Sequence, residues 1–152
     1  MDYLLLSHPT FGALGIIAAV WVLVETLNAS EGNAARIRLA SRATALCIGL
    51  SWILGGYWYV HFYGHDKALI LNGPLPYAHN LVMETKEHLF FIVLILAFYL
   101  PIAAAERLHE NAAARRMTAA TAALLALTAF AVEGGGAIIS FGVKAALLQH
   151  GG

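Results

Sequence analysis

Residues 58–88, WYVHFYGHDKALILNGPLPYAHNLVMETKEH, join the end of one long apolar segment to the start of the next. The stretch holds four of the seven histidines (His61, His65, His79 and His88), with Asp66, Glu84 and Glu87 between them. The sequence on either side is unsuited to water: of 152 residues 60% are hydrophobic and 12% charged, and the mean hydropathy is +0.71. Soluble domains average about 45–50% apolar and about 25% charged residues. A soluble chain of this length has no core large enough to hide the excess. The composition predicts one compact unit dissolved in lipid. The histidine-rich stretch then becomes a set of ligand-type side chains at one face of a membrane.

Working outward, four apolar stretches are long enough to cross a bilayer as helices, which takes about 20 residues. They run roughly over 10–27, 43–63, 88–105 and 118–148, so that residues 1–152 form a single all-α transmembrane four-helix bundle. The arginines fall in two links, Arg36, Arg38 and Arg42 in the first and Arg107, Arg115 and Arg116 in the other, and no lysine joins them. By the positive-inside rule both links face the cytoplasm. Both termini and the Lys67 loop then lie on the outer, periplasmic side of a bacterial inner membrane, which the chain crosses as a multi-pass protein. The start, MDYLLLSHP, carries an acid and no basic residue, unlike a signal peptide, so the first helix is expected to be retained. Gly12, Gly15, Gly49, Gly55, Gly56 and Gly134–Gly136 either let helices approach closely or make room for a flat cofactor. Pro101 is expected to kink or end the third helix.

Several function classes drop out. The net formal charge is zero, which gives no footprint for nucleic acid or an acidic partner. A single cysteine, Cys47, excludes intrachain disulfides, thiol-pair redox motifs and cysteine-based zinc or iron–sulfur sites. There is no serine–histidine–acid arrangement, phosphate-binding glycine loop or dinucleotide fingerprint. The glutamates do not form the paired Glu-x-x-His motifs of di-iron bundles.

The orientation puts His8, His61, His65, His79, His88 and His150 on the outer side and leaves His109 alone on the other. His61 closes the second span and His88 opens the third, so two imidazoles at adjacent helix ends can act as the axial ligands of a haem. The same residues allow another constellation. His61 and His65, and Glu84 and His88, are each four apart and share a helical face. Together they would make a mixed nitrogen–oxygen site for copper, iron or zinc, which His8 can join. Gly64, read as a helix terminator, would take His65 off that face. Glu133 lies inside the fourth span, where an ionisable group is functional by default. It can fix a ligand imidazole by hydrogen bonding, carry a proton, act as a third ligand, or simply bond to Tyr57 or Ser140. The plain alternative is a belt of interfacial histidines with no cofactor.

In span count, apolar character and facing histidines at helix ends, the chain resembles the small four-helix membrane cytochromes b. The resemblance implies a redox or electron-transfer subunit with one haem b on the outer side. It also implies electron exchange with other membrane subunits, a periplasmic redox protein or a quinone. The chain departs from the two-haem members, which carry histidine pairs towards both faces. Two further readings stay open. One is a copper-, iron- or zinc-binding accessory or assembly protein of a respiratory or oxygenase complex. The other is a purely structural membrane subunit.

Overall fold

The computed structural model describes residues 2–150. The chain is all helical: α1 (Asp2–Leu27), α2 (Ala34–Leu71), α3 (Glu84–Ala103) and α4 (Ala112–His150), with a 3-10 turn at Glu31–Asn33 and a π-helical turn at Ala78–Met83 leading into α3. All four helices are long and apolar enough to cross a membrane. α1 packs on α2 and α4, and α3 closes the bundle against the same two.

The packing seam is built from small and branched side chains, among them Ala19, Val22, Ile48, Val93, Ala97, Leu100 and Leu125. Gly15 brings α1 so close to α2 that a Cβ there would run into the Ile48 side chain. The outer surface is as apolar as the core: Ile17, Leu46, Ile95, Leu127 and Phe130 are all exposed. A surface of this kind suits lipid rather than water.

The two arginine-bearing links share one end of the bundle, where Ala29, Ser30 and Ile37 meet Ala104, Leu108 and His109. The other end gathers the start of α1, the α2–α3 turn and the last turns of α4. There His8 lies against Gly55, Gly73 against Ala146, and Gly142 against Ala78. The histidine-rich stretch therefore occupies one end and the arginines the other, as the sequence order of the links implies.

At the arginine end Asn33 ties α1 to α2. Its amide nitrogen donates to the Glu25 carboxylate at 2.8 Å and to the Glu25 and Asn28 carbonyls at 3.1 Å each. Its oxygen accepts the Ser30 backbone N–H at 2.8 Å. Asn33 is buried, and Arg36 closes the outside of the corner on Glu25 at 2.8 Å. Asn33→Ala is expected to destabilise the bundle by about 1–3 kcal/mol, because these groups then lose their partner away from water. A lowered midpoint of unfolding in SDS would register it, and an unchanged midpoint would refute it.

Two local expectations need correcting. Gly64 does not terminate α2. The helix runs through it to Leu71, and no described glycine has a positive φ. Tyr63 and Ile70, on either side, are buried with Ala78, Met83 and Ile139, and this packing outweighs a glycine penalty of about 1 kcal/mol. His65 therefore remains helical, residues 66–71 belong to α2, and only a short turn over 72–77 precedes the π turn. The helices also outrun the expected spans. α2 has 38 residues, about 57 Å at 1.5 Å per residue, and its surplus, with that of α4, carries the π turn beyond the packed core. Pro101 falls near the end of α3, which stops two residues later at Ala103.

Candidate functional site

The helices do not close at the histidine end. Between them lies a cavity of about 650 Å³ with walls from all four. Trp52, Trp58, Phe90 and Phe91 supply its apolar faces, while His8, Tyr59, Asp66, Lys86, Glu87 and Glu133 bring polar groups to it. Small-molecule sites of about 300–1,000 Å³ have this character, mostly apolar with a few placed polar groups. Two glycines make the arrangement possible. A Cβ on Gly12 would occupy the place of the Glu133 carboxylate, and one on Gly55 would collide with the His8 imidazole. Besides letting helices meet, these glycines house polar side chains.

The protonation of His8 follows from its partner. The Ser51 hydroxyl donates to the His8 carbonyl at 3.0 Å, which uses its single hydrogen. His8 Nδ1 stands 2.9 Å from the Ser51 carbonyl and 3.1 Å from the Ser51 hydroxyl oxygen, both acting as acceptors. Nδ1 must therefore carry the proton, and Nε2 keeps its lone pair. An imidazole pinned through Nδ1–H to a backbone carbonyl is the form that binds metal through Nε2. Ser51, not Glu133, fixes this ring.

Glu133 instead shares the cavity with Lys86, with which it interacts electrostatically, as His8 does from the opposite wall. Lys86 reaches across to Gly136 of α4. An ammonium and a carboxylate that share a largely apolar cavity offset part of one another's desolvation cost and leave donors and acceptors for a ligand. Higher on the wall the Tyr59 phenol faces Glu87. Glu87 Oε1 is buried with no hydrogen-bond partner among the described residues.

The other sequence-predicted residues lie elsewhere. His61 is exposed, stacked on Tyr57 with ring centroids 4.2 Å apart, and its Nδ1 bonds to the Tyr57 carbonyl at 2.9 Å. It is two residues from cavity-lining Tyr59, about 200° round the helix, and so points away from the cavity. His88 stands in the same relation to Lys86 and Phe90; it too is exposed, with Nδ1 2.6 Å from the Glu84 carbonyl. His65 is exposed on the His61 face. The Glu84 carboxylate turns towards His79 rather than His88, with 3.8 Å between its Oε1 and His79 Nε2. Among the described residues no three histidine, cysteine or acidic side chains are grouped to hold a metal ion. The His150 side chain lies outside the described residues.

Of the predicted site residues, the structure thus brings His8 and Glu133 together. It adds Ser51, Lys86, Tyr59 and Glu87, which the sequence reading did not single out. Neither Ser51, a small residue in a helix interior, nor Lys86, in the polar run ETKEH before the apolar part of α3, carries a signal of its own. No family model, no characterised protein and no solved structure matches this chain.

Proposed function

We propose that the chain is an integral membrane subunit of an electron-transfer complex. In this reading the histidine end and both termini face the outer, periplasmic side, and the cavity takes one haem b. The orientation is supported by the arginines at the opposite end. The haem reading is carried by one observation: the Nε2 lone pair of His8, fixed by Ser51, belongs to an aromatic-walled cavity of about 650 Å³. The residues present fit the group. His8 would ligate the iron through Nε2, Ser51 holds its tautomer, and Lys86 would offer a counter-charge for an anionic edge. Trp52, Trp58 and Phe90 would exclude water, and the open space at Gly56 leaves room for a flat ring. Bound haem supplies a one-electron iron couple. The residues around it set its solvation and the charge near it, and the partner is a periplasmic redox protein, a membrane subunit or a quinone.

A difference spectrum between the dithionite-reduced and air-oxidised protein, with elemental analysis of the same sample, tests the reading. A sharp reduced α band with stoichiometric iron is expected. A colourless protein reconstituted with haem that still shows no band would end the haem reading. Stoichiometric copper, zinc or iron without a band would replace haem by a bare ion, the accessory-protein alternative.

A further inference from the structure

A second polar line begins above the cavity. His79 is 3% exposed and sits in the π-helical turn, with Nδ1 3.1 Å from the hydroxyl of Tyr63, which is 2% exposed. Its Nε2 lies 3.8 Å from Oε1 of Glu84, whose side chain is 52% exposed. Below Tyr63 the ring of Tyr59 stacks on it at 5.1 Å between centroids. Tyr59 shares the cavity wall with Glu87, whose buried Oε1 has no hydrogen-bond partner among the described residues. Tyr59 and Glu87 both line the cavity.

The π turn makes this alignment. Residues five apart on an α-helix stand about 140° apart round the axis. A turn hydrogen-bonded from i to i+5 brings such residues into line. Over Ala78–Met83 it sets His79 beneath Glu84. A buried histidine kept only for packing needs no exchangeable group at both ring nitrogens. His79 has a solvent-reaching carboxylate on one side and a phenol leading inward on the other.

We propose that Glu84, His79, Tyr63, Tyr59 and Glu87 form a proton path between solvent at the histidine end and the cavity. Glu84 takes a proton from solvent and passes it through one water across the 3.8 Å gap to His79 Nε2, while the Nδ1 proton moves to the Tyr63 oxygen. The Tyr63 hydroxyl proton goes through one water to the Tyr59 oxygen, and the Tyr59 proton goes, likewise through water in the cavity, to the Glu87 carboxylate. One proton leaves solvent and one arrives on Glu87. Every relay group keeps its proton count, and the imidazole and hydroxyls then turn back. Asp66, Lys86 and Glu133 are the charged groups on the cavity side, and Glu133 is the next acceptor. The path gives a redox reaction in the cavity a proton for each electron. It requires the cavity but not haem.

The test uses the full chain in lipid nanodiscs without cofactor, so its failure is separate from that of the haem reading. After a rapid downward pH jump, infrared spectroscopy follows the protonated-carboxyl band, assigned with Glu87→Gln and Glu133→Gln. Tyr63→Phe keeps the buried ring and removes only the hydroxyl. It is expected to slow the rise on the order of a hundredfold, with the final amplitude unchanged. His79→Gly should slow it similarly and recover with added imidazole, a rescue that a structural role would not show. Rates equal to wild type in both variants would mean that water reaches Glu87 directly, and would overturn the path.

Discussion

His8→Ala is expected to abolish the reduced α band and the bound iron, while His61→Ala and His88→Ala leave both intact. Among the described residues only the His8 ring lines the cavity; the His61 and His88 imidazoles point outward from α2 and α3. The chain should remain folded, because the ring borders a cavity rather than filling a packed seam. Ser51→Ala removes the hydroxyl that donates to the His8 carbonyl but keeps the backbone carbonyl that accepts from Nδ1. Loss of an orienting partner outright lowers affinity by about 10–100-fold; with the carbonyl contact kept, this variant should bind haem more weakly than wild type by less than that. A titration of apo-protein with haem, read at the Soret band, separates the three classes. If His61→Ala and His88→Ala lost the band and His8→Ala kept it, the ligand pair would be the outward one, and a neighbouring helix would be needed to cover it.

The second large effect concerns the charge pair. Lys86→Met is expected to destabilise the bundle by about 2–3 kcal/mol, since it leaves the Glu133 carboxylate in an aromatic cavity without its counter-charge. Glu133→Gln should cost a similar amount by stranding the ammonium. The double variant should recover most of the loss, because the pair exists to neutralise itself as much as to hold a ligand. Unfolding midpoints in SDS for the four proteins form the cycle, and additive costs would show that the two groups do not interact. Gly12 belongs to the same unit: any side chain there displaces the Glu133 carboxylate.

Both sets of expectations turn on residues the sequence reveals unevenly. Glu133 and His8 are legible as a charge in an apolar run and a histidine at the correct end. Ser51 passes for an ordinary small residue in a helix interior. Lys86 sits just before the apolar run of α3 and reads as part of a loop. His79 follows two prolines and has no predictable periodicity. A π turn, which no residue pattern announces, then places it in line with Glu84. Gly64 reads as a terminator because its local cost is visible, whereas the burial of Tyr63 and Ile70 that overrides it is not.

The sequence by itself determined four helices, their order, and the gathering of histidines and arginines at opposite ends. These follow from composition and from the length of chain between links, which are properties of one segment at a time. Only the tertiary structure decided which way round each helix faces. In soluble helices an apolar stripe marks the buried side. Here exposed Leu46, Ile95 and Leu127 are as apolar as buried Ile48, Val93 and Leu125, so the pattern carries no such mark. His61 and His88 could therefore be assigned an end but not a direction. The close contacts at Gly12, Gly15 and Gly55 turn them outward and turn His8, Lys86 and Glu133 towards one another.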